Sequence, residues 1–462
     1  MSILIRNGQV VTPKGVSNAD VFVENETIVA IGDRIDRRAD KTLDAAGRYV
    51  IPGGIDVHTH LDAPVGGTIS SDDFETGTRA AAFGGTTCII DFATQSRGHS
   101  LSEAYETWRE KGAKATIDYG LHMIIVDAGD GRLEQLDFLI DEGVTSFKLF
   151  TAYPGTLMVD DATILQVMLR AGKRGALVAV HAENGTAIDY LVHKALAEGR
   201  TAPIEHALTR PAIAEAEAVH RVIALARIAD VPVYIVHVSS ADALEEISRA
   251  QKNGIRVVGE TCPQYLLLTQ EDLARPNFEG AKFVLTPPLR MRSDQAALWK
   301  GLEANELQVV STDHCPFMFE TQKRAGLNDF TKIPNGGPGI ENRLQLLYHY
   351  GVNGGRFTIQ RWVELVSQNP AKLFGLYPKK GALEVGSDAD IVIWDPAKEH
   401  TISAATHHMR VDYSMYEGMT VVGHADTVIS RGEIIVDHDE WLGRAGRGVY
   451  VKRSCFAAAW GG

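Results

Sequence analysis

Apolar runs of five to nine residues alternate with stretches rich in Ala, Glu and Leu over the middle of the chain. This alternation is typical of parallel strands that are each followed by a covering helix. Eight such runs occupy residues 49–56, 86–92, 119–126, 145–150, 176–180, 233–238, 256–260 and 307–312. Eight strand and helix units favour a (β/α)8 TIM barrel with long loops, and an open doubly wound sheet is the alternative.

Both ends of the chain have a different pattern, in which short β-like segments alternate with Asn-Gly and Pro-Lys-Gly turn signals. These segments lie at residues 3–5, 20–23 and 27–31, and again at 390–394 and 427–436. We expect residues 1–50 and 381–462 to share one small β-sandwich domain with a C-terminal tail. Residues 51–380 would then form the barrel.

Composition narrows the class of protein. Of 462 residues, 45% are hydrophobic and 23% are charged, as in an ordinary globular protein. The formal net charge of −13 argues against nucleic acid or an anionic membrane as the main partner. Four cysteines without a Cys-x-x-Cys pair, and no long apolar run, indicate a cytoplasmic protein without disulfides.

Polar residues with metal-binding or catalytic potential fall at or just past the ends of five predicted strands. They are His58, His60, Lys148, His181, His237 and Asp313. The carboxyl ends of barrel strands share one face, and the two imidazoles of His58-Thr59-His60 point to the same side of an extended chain. A single histidine is more often an ordinary polar side chain, but the set together predicts a metal site.

Lys148 is flanked by Phe147 and Leu149 and is expected to be buried. A buried ammonium is costly and has no lone pair for a metal. Two interpretations stay open at this point. Lys148 either forms an ion pair with Asp or Glu, or its amine has reacted with carbon dioxide to give a carbamate that can bridge two metal ions.

The sequence resembles the cyclic amidohydrolases of the amidohydrolase superfamily, and within it the hydantoinases and dihydropyrimidinases. The matching segments are residues 52–62, 84–87, 146–148, 181–184, 260–265, 286–290, 312–317 and 333–337. The resemblance extends over nearly the whole chain, to residue 453. It implies the same TIM barrel with a small sheet domain from both ends.

The resemblance also implies two Zn²⁺ per chain, with Mn²⁺ or Co²⁺ as alternatives. His58, His60 and Asp313 would hold one ion and His181 and His237 the other. Lys148, as N6-carboxylysine, and a hydroxide would bridge the two ions. Two zinc ions with carbamate, carboxylate and hydroxide leave a residual charge near +1, which suits a developing oxyanion.

In the reaction that this resemblance implies, the bridging hydroxide attacks a ring carbonyl, and Asp313 transfers its proton to the departing ring nitrogen. Tyr153 would donate a hydrogen bond to the oxyanion. The backbone at Thr286 and Asn335 would bind the ring amides, with Thr286 standing where serine is common. By position in the family's loops, Ala63, Val65, Phe150 and Leu157 would line the pocket for the ring substituent.

The expected activity is ring opening of 5-monosubstituted hydantoins or dihydropyrimidines to N-carbamoyl amino acids. An allantoinase or a dihydroorotase-like enzyme is the alternative, although Asp62 stands where dihydroorotases commonly carry arginine. A scaffold protein of the same fold is disfavoured because all six ligand positions are filled. The resemblance further implies a homotetramer, with residues 448–453 as a candidate for docking on a neighbouring subunit.

Overall fold

The amino-terminal residues begin a mixed β-sheet. The computed structural model describes residues 1–12, 15–129 and 131–456. The first strands are β1 (Ser2–Thr12), β2 (Gly15–Glu24), β3 (Thr27–Gly32), β4 (Lys41–Asp44) and β5 (Tyr49–Pro52). Strand β1 pairs antiparallel with β2 and parallel with β4 and β5, and β2 pairs antiparallel with β3.

The central part of the chain forms a ring of eight parallel strands. They are β6 (Gly54–Thr59), β9 (Thr86–Thr94), β10 (Asp118–Ile124), β11 (Ser146–Phe150), β12 (Leu177–His181), β13 (Val233–Ile235), β14 (Val257–Thr261) and β15 (Val309–Val310). Neighbours in the sheet follow chain order throughout. A bridge between Thr59 and His314, with His60 N donating to His314 O at 2.8 Å, brings the two edges together. This arrangement confirms the predicted barrel and excludes the doubly wound sheet.

A short hairpin and a set of helices connect these strands. The hairpin pairs β7 (Pro64–Val65) with β8 (Thr68–Ile69) above the end of β6. The helices are α1 (Phe74–Phe83), α2 (Leu101–Gly112), α3 (Gln135–Asp141), α4 (Asp161–Lys173), α5 (Gly185–Ala197), α6 (Glu205–Leu208), α7 (Ala212–Ala229), α8 (Ala241–Lys252), α9 (Pro263–Leu267), α10 (Arg292–Glu303), α11 (Arg343–Leu347), α12 (Ile359–Val363) and α13 (Asn369–Leu373).

Side-chain caps explain where several helices begin. The Asp73 carboxylate accepts hydrogen bonds from Glu75 N and Thr76 N at the start of α1, and the Ser100 hydroxyl accepts one from Glu103 N at the start of α2. Each cap satisfies backbone donors that have no partner within the helix. Among the helices of the described residues, none combines the length and the apolar character needed to cross a membrane.

The carboxyl-terminal strands complete the first sheet. They are β16 (Ile391–Thr401), β17 (Thr420–Ser430), β18 (Glu433–Asp437) and β19 (Glu440–Trp441). Strand β16 pairs antiparallel with β5, so both chain ends contribute to one sheet, as predicted. Ile391 of β16 packs with Ile3, Val21 and Val50 of the amino-terminal strands in an apolar core separate from that of the barrel.

The first predicted strand, residues 49–56, is divided into β5 and β6, and the prediction of one strand is wrong here. The break lies at Gly53, whose N–H donates to Asp390 O at 2.9 Å. A Cβ atom at Gly53 would lie 2.0 Å from Thr87 Oγ1, so only glycine allows this close approach. The chain therefore passes from the terminal sheet into the barrel at this residue.

The segment before the carboxyl terminus packs on the barrel of its own chain. Tyr119 N donates to Val449 O at 3.0 Å, and Val451 N donates to Tyr119 O at 2.8 Å. Arg453 is buried and donates to Ser146 Oγ at 2.9 Å. Docking of residues 448–453 on a neighbouring subunit stays a prediction, and within the chain this segment is held by Tyr119 in β10 and Ser146 in β11.

A buried guanidinium joins the first, second and last barrel strands. Arg343 Nη1 donates to Ile55 O at 2.9 Å and to Val310 O at 3.0 Å, and its Nη2 donates to Thr86 Oγ1 at 3.1 Å. Arg343 is fully buried. It therefore replaces backbone pairing where β6 and β15 meet.

We expect Arg343→Met to lower the free energy of unfolding by about 2–4 kcal/mol, because buried acceptors lose their donor. Urea denaturation followed by circular dichroism measures this change. Arg444→Met, which removes an exposed guanidinium, is the control and should change the free energy by less than about 0.5 kcal/mol. Equal unfolding free energies for the two variants would contradict a role in closing the barrel.

Candidate metal centre

The six predicted ligands meet at the carboxyl end of the barrel. His58 lies in β6 and Lys148 in β11, and His181 is the last residue of β12, whereas the others follow their strands within three residues. Five of them line one cavity of about 460 Å³, namely His60, Lys148, His181, His237 and Asp313. His58 lies beneath that cavity and is fully buried.

Three of these side chains form a compact cluster. Asp313 Oδ1 lies 3.1 Å from His58 Nε2 and 3.3 Å from His60 Nε2. One potential ligand atom of each residue lies within 4.8 Å of the other two. Two imidazoles and a carboxylate that converge in this way match the ligand types and spacing of a divalent transition-metal site.

Two further imidazoles face each other beside this cluster. His181 Nδ1 lies 2.9 Å from His237 Nε2, and the His237 and His58 ring centroids are 5.4 Å apart. His237 Nδ1 is buried and has no hydrogen-bond partner among the described residues. Buried polar atoms are rarely left unpaired without a functional reason. The donor set therefore fits a second cation next to the first.

Lys148 lies between these groups. Its Nζ is 2.9 Å from His58 Nε2 and 4.3 Å from the Phe92 ring centroid, and the residue is 1% exposed. Among the described residues, no carboxylate forms an ion pair with it within 4.0 Å. Burial lowers the pKa of Lys148 to about 8, against the opposing effect of Asp313 and Glu260. A neutral amine, the form that reacts with carbon dioxide, is thus accessible, which favours the carbamate interpretation.

Three residues of the site adopt backbone conformations that are uncommon for non-glycine residues. Tyr153, His237 and Asp313 have φ values of 65°, 41° and 52°. Such conformations cost about 1–3 kcal/mol each and persist where the surrounding structure enforces them. This strain directs the three side chains into the cavity.

Two carboxylates orient the imidazoles from outside the cluster. Glu260 Oε1 lies 2.7 Å from His58 Nδ1 and also accepts a hydrogen bond from His237 N at 3.1 Å. Glu183 Oε2 lies 2.8 Å from His181 Nε2. With these nitrogens protonated, the opposite ring nitrogen of each histidine offers its lone pair to the cluster.

Neither carboxylate was among the site residues predicted from the sequence. Glu260 ends the predicted strand 256–260, and Glu183 follows His181 by two residues. Their positions at or just past the ends of predicted strands could have identified them as neighbours of the ligand candidates.

The predicted substrate-binding residues line the same cavity. Asn335 Nδ2 donates to the Tyr153 hydroxyl at 3.4 Å, and Thr286 Oγ1 lies 3.1 Å from His206 Nε2. Burial raises the pKa of Tyr153, so its phenol stays protonated and can donate a hydrogen bond. The Thr286 hydroxyl already has a partner in His206, which leaves the backbone at this position for other contacts.

One wall of the cavity is apolar. Ala63, Val65, Phe150 and Leu157, the residues predicted for a substituent pocket, all line the cavity. Phe150 belongs to a small buried apolar cluster with Ile124, and Tyr153 and Leu157 pack against this cluster. The structure thus brings together the polar and apolar residues that the sequence analysis named.

Comparison with known proteins gives consistent matches over the whole chain. Residues 49–435 match the model of the amidohydrolase family. The D-hydantoinase of Streptomyces coelicolor is 52% identical over 457 residues, which are 98% of each chain. The D-hydantoinase of Geobacillus stearothermophilus is 51% identical over 99% of this chain and 98% of its own. The dihydropyrimidinase structure of Brevibacillus agri NCHU1002 superposes with a TM-score of 0.98 at 52% identity, covering 99% of this chain and 100% of its own.

We expect Glu260→Gln to weaken divalent-metal affinity about 10- to 100-fold, because the hydrogen bond that orients His58 loses its anionic acceptor. Competition with a fluorescent chelator measures this affinity without reference to activity. Glu271→Gln, on an exposed carboxylate of a neighbouring 3₁₀ turn, is the matched control. Equal affinities of the two variants would show that Glu260 does not support the metal ligands.

Proposed function

This chain belongs to the amidohydrolase family, within its hydantoinase and dihydropyrimidinase group, and from that premise we propose that it hydrolyses cyclic amides. The products would be N-carbamoyl amino acids, formed from 5-monosubstituted hydantoins and dihydropyrimidines. The observation that carries this proposal is the convergence of four histidines, a carboxylate and a buried lysine of lowered pKa at the carboxyl end of the barrel.

We propose that the centre holds two zinc ions. His58, His60 and Asp313 would hold one, His181 and His237 the other, and carbamylated Lys148 would bind both. Bound metal ions would supply a nucleophile at neutral pH and polarise the carbonyl. Lys148 lies beside His58, and a carbamate there would add the negative charge that two adjacent cations require.

Asp313 is the proton carrier in this proposal. Although burial alone would raise the pKa of Asp313, the neighbouring His58 and His60 lower it well below the usual value. The ionised carboxylate can accept a proton from the attacking water and return it to the departing ring nitrogen. Tyr153 would donate its phenolic hydrogen to the carbonyl oxygen as that oxygen becomes negative.

The ring would be held by the backbone at Thr286 and Asn335, which line the same cavity as the candidate metal ligands. Hydantoins and dihydropyrimidines present the same amide edge, so both ring types can make these contacts, to an extent that depends on the spacing of the two backbone segments. The exocyclic substituent would then lie against Ala63, Val65, Phe150 and Leu157. Because three of these side chains are small or medium in size, we expect aromatic substituents to fit.

An assay panel of hydantoin, 5-phenylhydantoin, dihydrouracil, allantoin and dihydroorotate tests the proposal. We expect ring opening of the first three, with 5-phenylhydantoin hydrolysed at least as fast as hydantoin. The two D-hydantoinase relatives support a preference for the D-enantiomer, which chiral analysis of the product detects. Hydrolysis of allantoin or dihydroorotate alone would refute the assignment.

The homotetramer stays a prediction. Exposed apolar side chains on α5 and α7 are candidates for contacts between its subunits. Ile213 and Ile228 on α7 are 65% and 70% exposed, and Tyr190 on α5 is 71% exposed. Burying large apolar side chains of this kind favours association. Light scattering coupled to size-exclusion chromatography gives the mass that decides this point.

We expect Tyr153→Phe to keep two metal ions per chain and to lower kcat about 10²- to 10³-fold, because one donor to the oxyanion is lost. Steady-state kinetics with metal analysis of the same sample measures both quantities. Tyr190→Phe, at an exposed tyrosine of α5, is the control. Normal turnover of Tyr153→Phe would mean that the phenol does not contact the reacting oxygen.

We expect Leu157→Phe to lower kcat/KM for 5-phenylhydantoin at least about tenfold and to change that for hydantoin by less than about threefold. The larger ring would occupy the space of the substituent only. Leu157→Met conserves volume and should affect both substrates little. An equal loss on both substrates would place Leu157 outside the substituent pocket.

A further inference from the structure

A buried lysine outside the metal centre joins two loops of the active-site cavity. Lys323 begins the 3₁₀ turn Lys323–Gly326 and is 0% exposed. Its Nζ donates to Val284 O at 3.0 Å and to Pro334 O at 3.2 Å. Val284 precedes Thr286 by two residues, and Pro334 directly precedes Asn335. The ammonium thus bridges the two backbone segments that would hold the substrate ring.

The same segments are tied to each other and to the metal-ligand segment by backbone hydrogen bonds. Gly336 N donates to Val284 O at 3.1 Å, and Cys315 N donates to Gly337 O at 3.2 Å. Cys315 follows Asp313 by two residues. Val284 O therefore accepts from both Gly336 and Lys323, at the point where the two ring-binding segments approach.

The location of Lys323 is costly for the protein. Among the described residues no carboxylate pairs with its amine, and burial lowers the pKa of Lys323 to about 7. A buried amine without a carboxylate partner lowers the free energy of unfolding. An apolar side chain of similar volume at such a position usually lowers it less. Groups with this kind of perturbation cluster at functional sites.

We propose that Lys323 is a positioning residue that sets the distance between the backbone at Thr286 and the backbone at Asn335, and thereby the ring size that the enzyme prefers. This inference rests on the proposed function. Lys323 lines neither the cavity nor the metal cluster, so it acts only through the two segments. Without the two Lys323 hydrogen bonds, the segments keep the Gly336 N–Val284 O bond but can move apart around it, and the smaller five-membered ring loses contact first.

The test compares hydantoin and dihydrouracil as substrates of Lys323→Met and Lys323→Gln. The Met side chain keeps most of the volume without a donor, whereas the Gln side chain keeps N–H donors on a neutral group. The ratio of the two kcat/KM values is the readout, because it does not depend on the fraction of active enzyme. The loss of a hydrogen bond corresponds to an effect of about three- to tenfold.

For Lys323→Met we expect KM for hydantoin to rise about three- to tenfold. The rise for dihydrouracil should be smaller, and metal content should stay at the wild-type value. Lys323→Gln should restore much of the wild-type ratio. Lys282→Met is the control. It removes a partly exposed ammonium that pairs with Glu279, two residues before Val284, and should leave the ratio unchanged.

A parallel loss on both substrates in Lys323→Met and Lys323→Gln, with an unchanged ratio, would show that Lys323 is merely structural and would overturn the inference. Failure of the wild-type protein to hydrolyse either ring would instead refute the proposed function. The two failures are therefore distinguishable in one set of assays.

Discussion

The structure depends on one physical constraint, which is the burial of a cluster of imidazoles, a carboxylate and an amine at the end of the barrel. Imidazole nitrogens of His181 and His237 face each other at 2.9 Å, and the Lys148 amine lies 2.9 Å from the His58 imidazole. Among the described residues, the buried Nδ1 of His237 has no hydrogen-bond partner, and a buried polar atom of this kind is costly. In the proposed centre, cations would bind the lone pairs of this cluster, and a carbamate at Lys148 would offset part of their charge.

Strands hold the candidate metal ligands around this cluster, whereas loops carry the residues that would bind the substrate. The candidate metal ligands lie at or near the ends of hydrogen-bonded strands, where neighbouring strands hold the backbone. Carboxylates such as Glu260 fix the imidazoles from behind. Residues that would contact the ring and its substituent lie on loops, near Thr286, Asn335 and Leu157. The chemistry can therefore stay constant while loop changes alter the substrate.

Much of the fold and the six ligand candidates could be predicted from strand runs and their polar ends. All six ligand candidates were placed on the correct face for this reason. Tyr153, Thr286, Asn335 and the pocket residues were expected only from the family resemblance. Contacts between segments distant in the chain could not be predicted. Gly53 breaks a strand because Thr87 approaches it, and Glu260 supports His58 across 202 residues. Lys323 gives no pattern at all, since backbone carbonyls from any residue type can accept its hydrogen bonds.

The central claim is that Lys148 carries a carbamate that bridges two metal ions. Carbon-13 NMR of the metal-loaded protein, prepared with ¹³C-labelled bicarbonate, tests this claim most directly, with Lys148→Ala as the matched control. The account predicts a carbamate carbon resonance and two metal ions per chain in the wild type, and neither the resonance nor the second ion in the variant. Two bound ions in the wild type without a labelled carbon, or the same resonance in Lys148→Ala, would contradict it.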